Sequence, residues 1–346
     1  KDIVTCAEMF FLEYGEYFTE KEKKLVVEAC RIHDLGKVNL VFQAMICPKL
    51  AEKFYIDVRK TQQIPHGFLS AVTISLDEFD DLSELFSDKD FGPFITAVYY
   101  HHDREDHYNS PAIRKYAEKY YMKQIEEYLN RKIRKLNCSN LDDLLFRNNV
   151  YTGKYIPDSN AWKEYLLIKG LLNKFDYTVS AGYENAESAI DLHEKKLVKN
   201  IEKFLNGKEL RPAQKFMKMN RDKNLIVIAP TGSGKTEASL LWMNGEKSFY
   251  TLPLKVSSNA IYLRIKENYE YKDVALLHSD AMAVYLREYN GNEDIGEKYE
   301  RSKMLSQPLT VCTVDQLFRF VYRALGTEIF AATLKYSKII IDEIQA

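Results

Sequence analysis

The chain has 346 residues, more than a typical single domain, and its length therefore predicts two domains. Lysine and arginine together number 49 against 50 for aspartate and glutamate, which excludes a globally basic protein, so any nucleic-acid surface must be local. Hydrophobic residues make up 46% of the chain, enough for sizeable cores, yet no apolar run approaches the ~18 residues that would suggest a membrane span.

The cysteines and the two ends of the chain indicate its setting. The five cysteines are odd in number, lie far apart and form no CxxC motif, which is typical of buried, reduced thiols in a cytosolic protein. With no visible signal peptide, we expect a cytoplasmic protein that has no membrane partner. Because the chain starts at Lys1 and stops just after the motif IIIDEIQA, we also expect both ends to be cut, with a clipped amino terminus.

Residues 1 to about 200 read as mostly helical, and one predicted helix ends in a charged motif. Thr19 and Glu22 fit a capping box, and apolar residues recur at helical spacing up to the sequence IHDLGK at 32–37. A charged residue at the buried end of such a helix is costly unless something neutralises it. Asp34 is therefore expected to be either a surface residue or the ligand of a cation.

Six imidazole and carboxylate side chains of this region could bind one or two divalent ions: His33, Asp34, His66, His101, His102 and Asp176. The two oxygens of Asp34 could bridge neighbouring ions, and two ions ~4 Å apart would activate a water and stabilise the leaving oxygen in phosphodiester cleavage. The histidine content favours Mn, Fe, Co or Ni over Mg. Structural alternatives stay open, because His66 could be a satisfied core histidine, His101 and His102 a surface pair, and Asp176 an N-cap.

Residues 114–135 are basic, and tyrosines are interleaved with the charges. The four tyrosines are Tyr116, Tyr120, Tyr121 and Tyr128. This combination suits single-stranded nucleic acid, whose bases stack on aromatic rings while its phosphates are neutralised. The alternative is a solvated helix whose tyrosines face the core, and three interrupting glutamates favour it.

The pattern of apolar and polar residues changes from about Asn224 onward. Short apolar, β-branched runs now alternate with helical stretches, and these runs are LIVIAP, SFYTLP, VALLHS, LTVCTV and KIIIDE. This alternation is typical of a parallel sheet flanked by helices. We place the domain boundary near Asn206–Gly207, which gives domains 1–205 and 206–346.

The octapeptide APTGSGKT, residues 229–236, is predicted to be a phosphate-binding loop, because an apolar run precedes it and a helical stretch follows. Its candidate nucleotide-binding residues are Thr231, Gly232, Ser233, Gly234, Lys235 and Thr236. Lys235 would reach the β and γ phosphates of ATP, and Thr236 would offer its hydroxyl to Mg²⁺. About a hundred residues later, Asp342 would hold the Mg²⁺ and Glu343 would orient or deprotonate the attacking water.

Further motifs of this second region resemble the first motor domain of superfamily 2 helicases. RPAQ is similar to the upstream motif whose glutamine, here Gln214, contacts adenine in that family. TLPLKVSSN and TVDQL resemble motifs Ia and Ib, which touch the nucleic-acid backbone, and DEIQ stands at the DExx box. A helicase needs a second motor domain with an arginine finger, so the resemblance implies that this chain alone binds ATP but hydrolyses it poorly.

The six metal-ligand candidates resemble the HD superfamily of metal-dependent phosphohydrolases. In that family His, His-Asp, His, His-His and Asp occur in this order on a helical domain. HDLGK matches best, and the resemblance implies that Lys37 contacts phosphate and that Ser180 accompanies Asp176. The family's first histidine precedes the His-Asp pair, whereas residues 1–32 contain no histidine, so we expect that ligand upstream of Lys1.

The order of the two domains resembles the CRISPR-associated helicase–nuclease of type I interference systems. The resemblance implies an all-α HD domain followed by an α/β RecA-like domain with a parallel sheet, and a second RecA-like domain absent from this chain. It also implies a metal-dependent nuclease, coupled to an ATP-driven helicase, that degrades single-stranded DNA after recruitment by a guide-RNA surveillance complex. Asp34, Lys37 and Glu343 would be its catalytic residues.

Two other classes of function stay open. One is an HD nucleotide phosphohydrolase or cyclic phosphodiesterase whose ATPase domain is regulatory, and the motifs TLPL and TVDQL argue against it. The other is an ATP-dependent remodelling protein with a degenerate HD domain kept for docking. Its support is the missing first histidine.

Overall fold

The computed structural model describes residues 2–74, 88–102, 110–133, 136, 160–188, 195–288, 294–322 and 326–344. The chain divides into two compact units, Lys1–Glu184 and Asn185–Ala346. Within the described segments, none of the helices combines the length and the apolar character needed to cross a membrane.

The described part of the first unit consists of helices and turns, which confirms the predicted all-α character of this region. Its nine α-helices are α1 (Ile3–Tyr14), α2 (Glu20–Ile32), α3 (Leu40–Ile46), α4 (Pro48–Lys53), α5 (His66–Thr73), α6 (Asp88–Tyr99), α7 (Ser110–Tyr120), α8 (Met122–Leu129) and α9 (Asn160–Ser180). The long helix α9 packs against α6, α2 and α1, and α5 packs against α6. This packing buries the apolar face of each helix in a common core.

The motif that ends α2 forms a tight corner. Thr19 and Glu22 make the predicted capping box at the start of the helix, which ends at Ile32. A single 3₁₀ turn, Leu35–Val38, follows it. The Asn39 side chain then accepts a hydrogen bond from the backbone N–H of Phe42 and so caps α3.

The corner lies against the start of α5 at a distance that only glycine allows. A Cβ atom on Gly36 would lie 2.0 Å from the carbonyl oxygen of His66. At the same place the Gly36 N–H donates to Ser70 Oγ (2.8 Å), and Ser70 Oγ donates to the carbonyl oxygen of His33 (2.6 Å). The glycine of HDLGK therefore sets how closely this motif approaches His66.

Two of the four tyrosines of the basic segment are buried in the core. Tyr116 and Tyr121 are buried, with 9% and 0% of their surface exposed, whereas Tyr128 is exposed. Tyr121 also shares a hydrogen bond of 2.6 Å with Thr73 on α5. The structural interpretation of this segment is supported over the stacking one for the two buried rings.

The second unit contains a four-stranded, fully parallel sheet with the strand order β2-β3-β1-β4. Its strands are β1 (Ser248–Leu252), β2 (Val274–Leu277), β3 (Leu309–Thr313) and β4 (Lys338–Ile341). Its helices are α10 (Lys196–Leu205), α11 (Pro212–Met219), α12 (Lys235–Met243), α13 (Lys255–Asn268), α14 (Ala281–Arg287), α15 (Ile295–Lys303), α16 (Val314–Leu317) and α17 (Glu328–Leu334). The predicted parallel sheet and four of its five predicted strands are confirmed.

The fifth predicted strand, Leu225–Ile228, is not formed. Leu225 and Val227 pack against the core, whereas Ile226 and Ile228 are 92% and 97% exposed, and the run has no ladder pairing. The segment therefore keeps the two-residue period of a strand without the backbone hydrogen bonds. The continuous apolar run predicted a buried strand, and this prediction is wrong, because the run has no paired neighbour in the sheet.

A buried ion pair anchors the start of the second unit. Lys247 Nζ lies 2.5 Å from Glu187 Oε2, with 1% and 3% of the two side chains exposed, and it also donates to the carbonyl oxygens of Leu305 and Gln307. Tyr336 donates its hydroxyl to Glu187 Oε1 at 2.7 Å. These contacts hold the segment after Glu184 in the second unit. The helix α10 also belongs to this unit, because its apolar residues lie in the same hydrophobic core. The second unit therefore begins at Asn185, about twenty residues before the boundary placed from sequence.

Substituting Gly36→Ala is expected to destabilise the first unit by about 1–3 kcal/mol, because the added methyl group meets backbone rather than a movable side chain. Urea unfolding followed through Trp162 fluorescence in a Trp242→Phe background would measure it, since each unit holds one tryptophan. The matched control is Gly15→Ala in the same unit, where the nearest atom is the Nζ of the flexible Lys23 side chain at 3.1 Å. An equal effect of the two substitutions would contradict the close approach.

Substituting Lys247→Met is expected to destabilise the second unit by about 3–5 kcal/mol, because Glu187 would keep a buried charge without its cation. Urea unfolding followed through Trp242 fluorescence in a Trp162→Phe background would measure the loss. The double variant Lys247→Met/Glu187→Leu should recover most of it, since no charge is then left unpaired. A single-variant loss below about 1 kcal/mol would contradict the buried pair.

Candidate metal centre and phosphate-binding site

The structure brings all six candidate ligands of the first unit together. The pair His33-Asp34 follows α2, His66 is the first residue of α5, the pair His101-His102 follows α6, and Asp176 lies in the last turns of α9. Two triads have ligand atoms that all lie within 4.8 Å of one another: His66, His101 and His102, and His33, Asp34 and His101. Asp176 lies within a helix and is therefore not an N-cap.

Backbone carbonyl groups set the tautomers of two histidines. His33 Nδ1 lies 2.9 Å from the carbonyl oxygen of Cys30, and His101 Nδ1 lies 2.7 Å from that of Val98. A carbonyl oxygen only accepts hydrogen bonds, so Nδ1 carries the proton in both rings. In the neutral rings the Nε2 lone pairs then face the cluster, which is the state that binds a metal ion.

The spacing of the imidazole nitrogens fits a shared ion. His66 Nε2 and His101 Nε2 are 3.0 Å apart, close to the separation of about 3.0–3.4 Å expected for two nitrogens each about 2.1 Å from one metal ion. His33 Nε2 is buried and has no hydrogen-bond partner in the described part of the chain. A buried polar atom without a partner is costly, and an ion at this place would satisfy it.

The two carboxylates share His33, and each also lies near one further histidine. Asp34 Oδ1 lies 3.2 Å from His66 Nε2, and its Oδ2 lies 3.4 Å from His33 Nε2. Asp176 Oδ1 lies 3.8 Å from His33 Nε2, and its Oδ2 lies 3.5 Å from His102 Nε2. Each carboxylate therefore spans two imidazoles, which is the geometry that a bridging ligand requires.

The electrostatics of the cluster keep these carboxylates ionised. Burial acts to raise the pKa of Asp34, but the hydrogen bond from His66 and the charges of His33 and Lys37 outweigh it and hold that pKa well below its usual range. The pKa of Asp176 is also lowered, because His33 and His102 outweigh the effect of its burial. Both groups would offer charged oxygens to an ion near neutral pH.

The same burial keeps two of the rings neutral. The pKa of His101 lies well below its usual value because the ring is buried and because His33, His102 and His66 surround it. Burial also lowers the pKa of His102, although the nearby Asp176 acts in the opposite direction. A neutral imidazole is the form that ligates metals, so the fold prepares these side chains for an ion.

Three residues support the candidate ligands, and the sequence identified two of them. Lys37 Nζ lies 2.7 Å from Asp34 Oδ2 and lies at the edge of the cluster, as expected from its motif. Ser180 Oγ lies 3.4 Å from Asp176 Oδ1. Ser70, which joins the HDLGK corner to α5, was missed, and a single serine in an apolar helix carries no sequence signal for such a role.

The remaining histidines have no part in the described cluster. His278 is buried at the end of β2, where its Nδ1 accepts a hydrogen bond from the Asp280 N–H (3.1 Å) and its Nε2 lies 2.7 Å from Asn259 Oδ1. His107 and His193 lie outside the described segments.

The phosphate-binding loop of the second unit leads directly into α12. Gly232 and Gly234 have φ angles of 77° and 84°, a region that favours glycine, and Gly234 is the N-cap of α12. The first N–H groups of a helix have no partner within it, and they attract anions. Lys235 Nζ donates to the carbonyl oxygen of Ala229 at 3.0 Å, so the lysine folds back over the loop.

The upstream RPAQ motif supports the loop from one side. Gln214 accepts a hydrogen bond from the Arg211 N–H at 3.0 Å and lies 3.4 Å from the carbonyl oxygen of Gly234. The guanidinium of Arg211 donates to the carbonyl oxygen of Gly232. A Cβ atom on Gly234 would come within 2.4 Å of the Gln214 amide nitrogen, so the second glycine of the loop makes room for this support.

The acidic pair of the DEIQ motif lies beyond the end of β4 and opposite the loop. Asp342 receives a hydrogen bond from Tyr250 at 2.6 Å, and its own backbone N–H donates to the carbonyl oxygen of Thr251. Both motifs line one cavity of about 810 Å³, together with Gln214 and the basic residues Lys208, Arg211 and Arg264. Its volume is ample for a nucleotide. Tyr250 lies in an apolar strand and was not singled out from the sequence.

Comparison with known proteins places the two units in described families. Residues 6–162 match the family described as "Cas3, HD domain", and residues 212–346 match "DEAD/DEAH box helicase". The two matches together cover most of the chain.

Two curated relatives and two solved structures are similar to the chain. The CRISPR-associated nuclease/helicase Cas3 of Methanothermobacter thermautotrophicus is 25% identical over 395 residues, covering 99% of this chain and 46% of that protein. The putative CRISPR-associated nuclease/helicase Cas3 of Methanocaldococcus jannaschii is 29% identical over 145 residues, which is 38% of this chain and 20% of that protein. Structures of T. fusca Cas3 with AMPPNP and of T. fusca Cas3 alone both have a TM-score of 0.63, with 17% and 16% identity, over 100% of this chain and 44% of theirs.

The chain spans less than half the length of these relatives. The structural match establishes the fold of both units. The two family matches give a Cas3-type HD domain followed by a DEAD/DEAH box helicase domain, and over nearly its whole length the chain is similar to a CRISPR-associated Cas3 nuclease/helicase.

Proposed function

We propose that this chain carries the nuclease site and the first motor domain of a helicase–nuclease that degrades target DNA in CRISPR interference. In this proposal a guide-RNA surveillance complex recruits the enzyme in the cytoplasm, and the motor moves single-stranded DNA towards the metal centre. The observation that carries the proposal is the convergence of imidazole Nε2 atoms on two carboxylates in the first unit. A phosphate-binding loop in the second unit supports the coupling to ATP.

The first unit would hold two divalent ions through the six ligands described above. When bound, such ions supply an activated water and charge stabilisation for phosphodiester cleavage. The four histidines favour Mn, Fe, Co or Ni over Mg, which prefers oxygen ligands. Asp34 would bridge the ions, and Lys37, whose ammonium lies beside that carboxylate, would contact a phosphate of the DNA.

The second unit would bind ATP with Mg²⁺ in its loop cavity. Residues Thr231 to Thr236 would surround the phosphates, with Lys235 on the β and γ phosphates and Thr236 on the Mg²⁺. Asp342 would hold the same ion, Glu343 would orient the water, and Gln214 would contact adenine. All of these residues except Ser233 line the same cavity.

Single-stranded DNA would cross the carboxyl edge of the sheet. The motifs TLPLKVSSN and TVDQL begin at the carboxyl ends of β1 and β3. Because these strands are parallel neighbours, both motifs lie at the same edge of the sheet. Ligands of open parallel sheets bind at this edge. A metal centre of this kind cuts any phosphodiester within reach, so the choice of target would come from recruitment rather than from base contacts.

Circular single-stranded DNA is expected to be cut by the protein in Mn²⁺, Ni²⁺ or Co²⁺ without ATP. Substituting Asp34→Ala should lower the rate at least about a hundredfold, because the carboxylate would no longer hold either ion. The matched control is Asp57→Ala, which changes an exposed aspartate in an ion pair with Lys60. A gel-based cleavage assay with a chelated sample would measure both.

No cleavage in any of the three metals would contradict the nuclease proposal. Cleavage that survives Asp34→Ala would place the activity outside this cluster. Turnover of mononucleotides or cyclic dinucleotides, with circular DNA left intact, would favour a nucleotide phosphohydrolase instead.

Substituting Lys235→Ala is expected to weaken binding of a fluorescent ATP analogue at least about tenfold, because a charge-assisted contact to the phosphates is lost. Equilibrium fluorescence titration in Mg²⁺ would measure the affinity. Lys223→Ala removes an exposed lysine whose contact is the Asn220 side chain, and it should leave binding unchanged. Equal binding by both variants would contradict the assignment of the loop.

A further inference from the structure

A buried tyrosine hydroxyl contacts the aspartate assigned to Mg²⁺ above. Tyr250 is in the middle of β1, with β3 on one side and β4 on the other, and none of its surface is exposed. Its hydroxyl donates a hydrogen bond of 2.6 Å to Asp342 Oδ2. A side chain from the core of the sheet thus contacts the acidic motif directly.

We propose that Tyr250 is a positioning residue that holds Asp342 in the orientation that binds Mg²⁺ with the nucleotide. This inference rests on the proposed ATP site and assigns a function to a residue outside its motifs. Tyr250 itself would touch neither the ion nor the phosphates. It would act through the direction in which it points the carboxylate.

The chemistry of the two groups sets the direction of the hydrogen bond. An ionised carboxylate only accepts, so the single proton of the tyrosine hydroxyl is donated to Asp342.

The hydroxyl is also the one side-chain donor to Asp342 among the described residues. The other carboxylate oxygen, Oδ1, accepts the Glu343 N–H at 2.9 Å, and the Asp342 N–H donates to Thr251. Lys235, the nearest cation of the loop motif, donates to Ala229 instead. Without Tyr250 the orientation of Oδ2 would depend on backbone contacts alone.

Rigid anchoring explains why a core tyrosine suits this role. The ring packs in the hydrophobic core beside β3 and β4, with Leu240, Leu252 and Val311 in the same cluster. Tyrosine buries a large apolar ring and presents one polar group at its end. Groups that orient metal ligands typically change metal affinity about 10–100-fold when removed.

The test is Tyr250→Phe, which removes the hydroxyl and keeps the ring. Affinity for fluorescent ADP would be titrated against free Mg²⁺, which measures binding rather than turnover. We expect the Mg²⁺ concentration that half-restores tight binding to rise about tenfold, while binding in EDTA stays equal to that of the parent protein. The matched control is Tyr285→Phe, a buried tyrosine whose hydroxyl contacts the backbone of Leu276 and does not line the nucleotide cavity.

A second arm separates positioning from a folding defect. In an Asp342→Asn background, Tyr250→Phe should have no further effect on the Mg²⁺ requirement, because both changes remove the same ligand arrangement. An effect that persists there, or one equal to that of Tyr285→Phe, would overturn the inference. An unchanged or lower Mg²⁺ requirement in Tyr250→Phe would overturn it as well. If the parent protein binds no nucleotide, the proposed ATP site itself falls, and the inference falls with it.

Discussion

The structure of the first unit depends on the burial of imidazole nitrogens that face one another rather than water. His33 and His101 each donate a hydrogen bond from Nδ1–H to a backbone carbonyl oxygen. In the neutral rings the Nε2 atoms therefore carry no proton. Several such lone pairs in one buried space are unfavourable unless a cation joins them. The helices contribute residues at or near their ends to this cluster. Only glycine at position 36 lets the turn after α2 come into contact with the start of α5.

The second unit also brings distant polar groups together, and it does so with a parallel sheet. Its parallel strands all end at one edge, so β1 and β4 bring Tyr250 and Asp342 next to the loop that precedes α12. The loop offers unpaired N–H groups at the start of a helix, whereas the strand end offers carboxylates. A nucleotide with its Mg²⁺ needs both kinds of group, and a parallel sheet supplies them from distant parts of the sequence.

The two sites share one design, in which the ligand side chains are supported by buried neighbours. Ser70 joins the His33 carbonyl group to Gly36 in one unit, and Tyr250 donates a hydrogen bond to Asp342 in the other. Neither supporting residue belongs to a motif, yet both lie where a motif meets the hydrophobic core. Supports of this kind are rigid because the core is close-packed, and rigid ligands reduce the cost of ordering a site when an ion binds.

The sequence by itself determined the fold class, the four strands that form the sheet, the capping box of α2 and the six candidate ligands that cluster in the first unit. These features depend on local periodicity and on short motifs that can be recognised in the chain. The tertiary structure decided the rest: that the run at 225–228 stays unpaired, that α10 packs in the core of the second unit, and that Ser70 and Tyr250 contact groups of the two candidate sites. Each of these depends on contacts between residues far apart in sequence. The sequence alone does not show which distant backbone or hydroxyl group will lie within 3 Å of a given side chain.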